Sequence, residues 1–134
     1  MMMLSDRVAD PGDGLDEVTV VDDQYGRLTF TGDMAEAIFH LLDSGAAYGT
    51  YDLTGSGRVE SWSGIAKAVF DQTNGNGDRV VPIPTEEYFA NAKDPVSPRP
   101  THSALDLKKI EATGYPALDW EESLKKYVAK ELAE

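Results

Sequence analysis

The apolar positions of this chain follow two different periods, which predict short strands alternating with helices. Residues 18–22 are apolar and β-branched, a composition typical of a buried strand. Residues 49–53 alternate between apolar and polar side chains, and residues 79–83 form a second β-branched run that leaves through two prolines. We therefore predict strands at 18–22, 49–53 and 79–83, with a further short extended piece at 28–30.

Two segments in the first half carry the period of amphipathic helices. The first begins at Thr31 or Asp33 as its cap and ends at Gly45. Its predicted core stripe is Met34, Ala35, Ile38, Leu41 and Leu42. The second begins at a cap on Ser61 and ends at Gly75 and Gly77. Its predicted core stripe is Trp62, Ile65, Ala66, Val69 and Phe70.

A third long helix is predicted at the C-terminal end of the sequence. Asp119 is its cap, and Glu122 stands three residues later at capping-box spacing. Its apolar line is Leu124, Val128 and Leu132. Shorter helices are predicted at 85–90 and towards the end of 103–110, whereas residues 93–100 contain three prolines and cannot be regular structure.

The order of these elements predicts an α/β fold with about three main helices and short strands. The strands are too few for a complete doubly wound sheet, so we expect one lobe of a larger structure. We treat residues 1–134 as a single domain, in which residues 1–9 have the pattern of the tail of a truncated amphipathic helix.

Composition and charge exclude several classes of function. The chain has 134 residues and no cysteine, which excludes disulfides, thiol catalysis and cysteine-based zinc sites. Its two histidines have no second ligand at metal-binding spacing, so we expect no metal. The net charge of −12 disfavours nucleic acid and anionic membranes, and no apolar run is long enough to cross a bilayer. These features fit a cytoplasmic protein.

The candidate chemistry lies in the turn after the first strand. Gln24, Gly26, Arg27 and Thr29 place an amide, a bare backbone, a guanidinium and a hydroxyl close together, a set that suits a diphosphate. A solvated turn with an ordinary surface arginine explains the same stretch. Tyr25 could stack on a base or ribose, while Gln24 and Thr29 also fit a role in stabilising the turn.

A second candidate residue is Arg99, because it stands between two prolines that restrict its backbone. The adjacent acid pairs at 22–23, 86–87 and 121–122 point apart on a strand or helix, so they are explained by solvated faces and not by acid catalysis. We identify no catalytic and no cofactor-binding residue. Gly55-Ser56-Gly57-Arg58 lacks the third glycine of a dinucleotide fingerprint, and Tyr127 and Lys130 are three residues apart.

Several motifs, in order, resemble one family. They are Asp22-Asp23-Gln24 with Gly26-Arg27 and Asp33-Met34-Ala35, then Tyr48 to Gly57, Ser61-Trp62, Ile83 to Tyr88, Arg99-Pro100, Leu105-Asp106 and Asp119-Trp120. This series is similar to the substrate-binding region of dTDP-4-dehydrorhamnose reductases, which are extended short-chain dehydrogenases/reductases. The chain departs at Leu28, where relatives usually have proline, giving Gly-Arg-Pro-Thr.

The resemblance implies a C-terminal substrate-binding lobe without the Rossmann half. It implies that Arg27 and Arg99, with Gln24, Tyr25, Gly26 and Thr29, bind dTDP-4-dehydro-L-rhamnose. The intact enzyme would reduce this substrate to dTDP-L-rhamnose with NADPH or NADH, for cell-surface polysaccharide. The cofactor and the catalytic Tyr-x-x-x-Lys pair would belong to a missing N-terminal domain, so this chain alone is expected to be inactive.

Two alternatives remain open at the level of sequence. The chain could be a non-catalytic module that forms a homodimer or docks on a partner enzyme. It could also be the same lobe from a reductase or epimerase that acts on another nucleotide sugar.

Overall fold

The computed structural model describes residues 17–73 and 75–133. The helix tail predicted at residues 1–9 lies outside the described residues. In chain order the elements are β1 (Val18–Val21), β2 (Tyr25–Gly26), α1 (Thr31–Asp43), β3 (Glu60–Ser61), α2 (Trp62–Thr73), a 3-10 turn (Gly77–Arg79), β4 (Val80–Ile83), α3 (Thr85–Tyr88), α4 (Lys108–Glu111) and α5 (Trp120–Glu131). The prediction of an α/β fold with three main helices is confirmed, because α1, α2 and α5 are the long ones.

Backbone contacts divide the described chain into two compact units. The first unit comprises residues 17–25 and 60–102, and the second comprises residues 26–59 and 103–133. Each unit is therefore discontinuous in sequence.

The first unit is built on a parallel pair of strands and a helix that packs on them. β1 pairs with β4 in a register that sets Val18 opposite Val80 and Val21 opposite Ile83. Parallel strands require a crossover connection, which here spans residues 22–79 and has α2 as its last α-helix before β4. The apolar face of α2 covers this pair through a core made of Ala66, Phe70 and Val80 with Val18, Val20 and Val69 packed against it.

The predicted ends of α2 are confirmed. The Ser61 hydroxyl accepts a hydrogen bond from the Gly64 backbone N–H at 3.1 Å, which satisfies one of the free donors of the first turn. The helix stops at Thr73, and the Gly77 N–H donates to the Asp71 carboxylate at 2.9 Å in the turn that follows. One member of the predicted stripe is wrong, because Trp62 starts the helix with 42% of its surface exposed.

The second unit packs around a separate core. Its buried members are Ala37, Leu107, Ile110 and Tyr115, with Leu41, Tyr51, Leu53 and Ala117 packed against them. Trp120 is completely buried, and its indole N–H donates to the Arg58 carbonyl at 2.8 Å. The Asp119 cap of α5 is confirmed, since its carboxylate accepts from the N–H groups of Glu121 and Glu122. The Glu122 carboxylate pairs with Lys125 at 2.6 Å, and this contact replaces the return half of the predicted capping box.

Two predictions about α1 are wrong. The helix starts after Phe30 without a side-chain cap, because the Asp33 carboxylate accepts from the Ser123 hydroxyl at 2.9 Å. Its predicted core stripe is mainly exposed: Met34, Ile38 and Leu42 keep 44%, 53% and 72% of their surface. The helix instead buries Ala37, which the prediction left out of the stripe.

The strand predicted at 49–53 is also wrong, although its alternation correctly marks the inward side chains. Tyr51 and Leu53 pack on the core of the second unit while Asp52 is exposed. No strand within residues 17–73 and 75–133 pairs with this segment, and the Thr50 carbonyl accepts from the Lys109 ammonium at 2.6 Å. The extended piece predicted at 28–30 joins no sheet, and Phe30 at its end has an extended backbone, while the short strand lies at Tyr25–Gly26. Leu132, predicted in the α5 stripe, is beyond the helix end and 69% exposed.

The two tryptophans provide a matched test of the core of the second unit. Trp120→Ala removes a fully buried ring and leaves the Arg58 carbonyl unpaired, so we expect a loss of about 3–5 kcal/mol in the free energy of unfolding. Trp62→Ala removes the same atoms from a half-exposed position and should cost about 1 kcal/mol or less. Urea unfolding followed by circular dichroism measures both variants. Equal losses would contradict the assignment of Trp120 as the buried anchor.

Candidate functional site

The position of Arg27 is fixed by the residue that follows it. The Leu28 side chain is buried, and its carbonyl accepts a hydrogen bond from the Gly55 N–H at 3.0 Å. The backbone at Arg27 is therefore held against the loop at 55–57 although it belongs to no strand. This buried leucine stands where the resemblance leads us to expect a proline.

Arg27 lines an open cleft of about 240 Å³ that lies wholly within the second unit. The other lining residues are Ser56, Gly57, Leu105, Asp106, Leu107, Lys108 and Glu111. The Arg27 Nη1 atom donates to the Leu105 carbonyl across a long 3.4 Å. Its Nε atom is buried and has no hydrogen-bond partner among the described residues. The guanidinium is thus weakly held and has donor capacity to spare.

The cleft is lined by equal numbers of positively and negatively charged side chains. Arg27 and Lys108 contribute two positive groups, and Asp106 and Glu111 contribute two negative ones. The Asp106 carboxylate accepts from the Lys108 backbone N–H at 2.9 Å and lies 3.6 Å from the Lys108 ammonium. The backbone hydrogen bond, more than the nearby charge, lowers the pKa of Asp106. An anion in this cleft would therefore depend on directed hydrogen bonds, because the lining has no net positive charge.

The far wall of the cleft is formed by a tightly packed glycine loop. The Ser56 hydroxyl donates to the Ala117 carbonyl at 2.7 Å, and Gly57 has a φ of +95°. A Cβ at Gly55 would collide with the Leu28 carbonyl oxygen, and one at Gly57 would collide with the Asp119 carboxylate. These glycines allow the unit to pack closely against itself.

In the first unit, Gln24 and its neighbours form a separate network of hydrogen bonds. The Gln24 side-chain amide donates to the Thr85 hydroxyl at 2.9 Å. The Gln24 backbone carbonyl accepts from the Trp62 backbone N–H at 3.1 Å. The Thr85 hydroxyl donates to the Asp23 carboxylate at 2.5 Å, and the Thr85 N–H donates to both oxygens of the same carboxylate. These bonds, first from the hydroxyl and then from the backbone, lower the pKa of Asp23. Asp23 thereby ties the end of β1 to the start of α3.

Tyr25 is engaged by a residue that the sequence analysis did not select. Its ring stacks on His102 with the centroids 5.4 Å apart and the planes 20° from parallel. The Tyr25 N–H donates to the Thr101 carbonyl at 2.7 Å, so the two segments also meet through the backbone. Contacts between residues so distant in sequence leave no local pattern that would reveal His102.

The remaining predicted site residues are divided between the two units. Gly26, Arg27 and Thr29 belong to the second unit, whereas Gln24, Tyr25 and Arg99 belong to the first. A Cβ at Gly26 would lie 3.7 Å from the Ser103 Cβ, an ordinary contact, so the fold itself does not require glycine there. Thr29 is half-buried, and Arg99 is exposed in the irregular 93–100 segment. Their roles in binding remain predictions.

Other candidate chemistry is sparse in the part of the chain that the structure describes. That part contains no cluster of three histidine or acidic side chains able to hold a metal ion. None of its helices combines the length and apolar character that a membrane-spanning segment requires. The His40 Nε2 atom lies 3.1 Å from both oxygens of Thr113, which explains this histidine as a structural contact.

Comparison with known proteins gives a consistent picture. A family model described as RmlD substrate binding domain matches residues 6–133. The chain is 34% identical over 112 residues to the spore coat polysaccharide biosynthesis protein SpsK of Bacillus subtilis, covering 84% of the chain and 36% of the relative. It is 36% identical over 132 residues to a dTDP-4-dehydrorhamnose reductase of Sinorhizobium fredii, covering 91% and 42%.

A solved structure shows the same likeness in three dimensions. The dTDP-4-dehydrorhamnose reductase of Bacillus anthracis, in complex with NADP, superposes with a TM-score of 0.76 at 27% identity over 95% of this chain. That superposition covers 42% of the Bacillus anthracis chain. The present chain therefore spans well under half the length of the relatives it matches. The predicted resemblance and the prediction of a partial α/β lobe are confirmed.

The network at Asp23 predicts a specific dependence of stability on pH. Because its pKa is lowered on folding, the stabilisation is complete above the unfolded value of about 3.9 and is lost as pH falls through the folded pKa. Asp23→Asn replaces the carboxylate by a weaker neutral acceptor. We expect the variant to be less stable than the parent at pH 7, and the difference to shrink as the pH falls below about 4.

Urea unfolding at pH 7, 5, 4 and 3 measures this difference. The control is Asp52→Asn, which removes a carboxylate from an exposed position in the other unit. A gap between parent and Asp23→Asn that stays constant down to pH 3 would refute the role given to the Asp23 carboxylate.

Proposed function

This chain belongs to the RmlD substrate-binding domain family, and on that premise we propose that it binds the nucleotide-sugar substrate of a dTDP-sugar reductase. In this proposal the substrate is dTDP-4-dehydro-L-rhamnose. The intact enzyme reduces its keto group to give dTDP-L-rhamnose in the cytoplasm, as a precursor of cell-surface polysaccharide. Support comes from the relative named dTDP-4-dehydrorhamnose reductase and from the relative named for polysaccharide biosynthesis.

The observation that carries the proposal is the state of Arg27. Its guanidinium lines an open cleft, one nitrogen makes only a 3.4 Å contact, and another has no partner among the described residues. A contact of 3.4 Å is long for a hydrogen bond, so a ligand oxygen in the open cleft can replace the Leu105 carbonyl as the acceptor of Nη1. A phosphate offers several such acceptors in the geometry that the planar guanidinium matches.

The size of the cleft limits what it holds. Its volume of about 240 Å³ is below the range of about 300–1,000 Å³ that is usual for pockets enclosing a whole small ligand. We therefore assign to the cleft the diphosphate and the atoms next to it, and not the complete nucleotide sugar. Gln24, Tyr25 and Arg99 of the first unit, with Gly26 and Thr29, remain in the proposal as further substrate contacts, each to be tested separately.

We assign the redox chemistry to the part of the reductase relatives that lies beyond the region matched by this chain. The Bacillus anthracis reductase was solved with NADP, and the glycine stretch of the present chain lacks the third glycine of a dinucleotide fingerprint. NADPH or NADH bound elsewhere in the intact enzyme would supply the hydride. The contribution of this chain is to bind and orient the substrate.

The nature of the nucleotide is a separate part of the proposal. A lobe of this family could also serve a reductase or epimerase that takes another nucleotide sugar. The response to dTDP compared with UDP and GDP distinguishes these cases, because a ligand that binds only the folded state raises the melting temperature. A larger response to UDP or GDP would replace dTDP in the proposal while leaving the diphosphate contact intact.

We expect Arg27→Lys to weaken dTDP binding about tenfold, because lysine keeps the charge but loses the paired donors. Isothermal titration of the full 134-residue chain measures the change. The matched control is Arg79→Lys, in which the guanidinium lies over the Phe70 ring in the other unit. Equal affinities for the parent and Arg27→Lys would remove Arg27 from the site. The same titration of Arg99→Lys tests that residue independently.

The assignment of the chemistry to other polypeptide predicts that this chain alone does not reduce the substrate. With dTDP-4-dehydro-L-rhamnose and NADPH, the rate of NADPH consumption should equal the rate without protein. The assay with the Bacillus anthracis enzyme is the positive control. Robust turnover by the isolated chain would show that it carries catalytic groups that the proposal assigns to the rest of the intact enzyme.

A further inference from the structure

Two Asn-Gly dipeptides follow one another after α2, at Asn74-Gly75 and Asn76-Gly77. Asparagine is a thermolabile residue, and a following glycine favours its deamidation because no side chain shields the backbone nitrogen that attacks it. Asn74 lies outside the described residues, whereas the second dipeptide is described. Asn76 is exposed, so water reaches its side-chain amide. The second dipeptide is therefore a candidate site of spontaneous covalent modification.

Deamidation at Asn76 uses the backbone of the next residue as the nucleophile. The Gly77 nitrogen gives its proton to solvent and forms a bond to Cγ of Asn76. The bond from Cγ to Nδ2 then breaks, and the amide takes up a proton and leaves as ammonia. Water opens the resulting cyclic imide to give either aspartate or isoaspartate. The fold can control the first step, because that step needs a free Gly77 N–H.

The Gly77 N–H is held by the last turn of α2. It donates to the Asp71 carboxylate at 2.9 Å, and Gly77 is buried although its neighbours Asn76 and Asp78 are exposed. A hydrogen bond to an ionised acceptor is about twice as strong as a neutral one, and this bond must break before the nitrogen attacks. The carboxylate also repels the negative charge that the nitrogen acquires on losing its proton. Both effects slow the deamidation of Asn76 in the folded chain.

The same contact explains why the reactive glycine is kept. A Cβ at Gly77 would collide with the Asp71 carboxylate and with the stem of the Lys67 side chain. Asp71 lies in the last turn of α2, where the helix dipole disfavours a carboxylate. The hydrogen bond from Gly77 offsets that unfavourable position. The fold therefore requires the glycine that makes Asn76 reactive, and it places an acceptor on that glycine's N–H.

We propose that Asn76 is a deamidation site and that Asp71 suppresses the reaction by holding the Gly77 N–H. The reaction then proceeds when this turn opens locally. The site belongs to the first unit, whereas the cleft that contains Arg27 belongs to the second, so the inference does not depend on the proposed function.

The products change the connection between α2 and β4. Aspartate at position 76 adds a carboxylate close to Asp71 and Asp78, and like charges repel. Isoaspartate also converts the Asn76 backbone carbonyl, which accepts from the Arg79 N–H at 3.3 Å, into a carboxylate outside the main chain. Deamidated chain should therefore unfold at a lower urea concentration than the unmodified chain, and equal midpoints would contradict this consequence.

Peptide mapping by mass spectrometry, with enzymatic methylation of isoaspartate, measures the rate at Asn76 in the full 134-residue chain. Asp71→Ala removes the acceptor, so we expect this rate to rise about tenfold. The matched control is Asp78→Ala, which removes a carboxylate from a side chain that is 97% exposed and adjacent to Gly77. It should change the rate by less than about twofold, because exposed charges interact weakly. Equal rates in the parent and Asp71→Ala, or equal acceleration by both variants, would overturn the proposal.

A further variant separates the hydrogen bond from fraying of the helix end. Thr73→Val removes the hydroxyl that donates to the Val69 carbonyl at 2.9 Å and leaves Asp71 in place. Acceleration equal to that of Asp71→Ala would assign the control to fraying and refute the role of Asp71. In concentrated urea the contact is lost, so the parent and Asp71→Ala should deamidate at Asn76 at the same rate. A difference that persists in urea would show that Asp71 does not act through the fold.

Discussion

The cleft depends on the close approach of three stretches of chain at Gly55. Its N–H donates to the Leu28 carbonyl, and a Cβ there would collide with that oxygen and press on the Trp120 side chain. The next residue, Ser56, forms an isolated bridge with Asp119, which caps α5. A single bare backbone position thus brings together the loop that contains Arg27, the far wall of the cleft and the buried tryptophan. Arg27 lines the cleft because the hydrogen bond between Gly55 and Leu28 holds the backbone next to Arg27 in place.

The parts of the fold that could be predicted are those whose cause is local. The cap of α2 at Ser61, the cap of α5 at Asp119 and the end of α2 before Gly75 depend on side chains within a few residues. Two errors have a common physical origin. Alternation at 49–53 correctly identified the inward side chains, but a strand also needs a neighbour to pair with. The period of α1 correctly identified an apolar face, but a period does not specify what covers it.

The site could be predicted only in part for the same reason. Arg27 was selected because a guanidinium in a glycine-containing turn is recognisable chemistry within a short stretch. The opposite side of its cleft, including Asp106 and Lys108, lies about 80 residues away, and nothing in either stretch indicates that they meet. The same applies to the stack of Tyr25 on His102 and to the capture of Thr85 by Asp23. Long-range contacts define the electrostatics of the cleft, so the short motif around Arg27 taken alone suggests a more positive lining than the structure has.

In the proposed function an acidic protein binds an anion, so the ligand has to approach against the electrostatic repulsion of the whole chain. The net charge of −12 repels a diphosphate at long range, and salt at physiological strength screens that repulsion beyond about 8 Å. Inside the cleft the formal charges cancel, so the decisive quantity is the number of unsatisfied donors and not the potential. Asp106 supports this balance, because the backbone N–H of Lys108 keeps its carboxylate ionised and engaged. That contact leaves the Arg27 guanidinium as a cation of the cleft whose side-chain donors are not fully used. In the proposed function a diphosphate is favoured over a single carboxylate because it offers more oxygens to the two cations of the lining, Arg27 and Lys108.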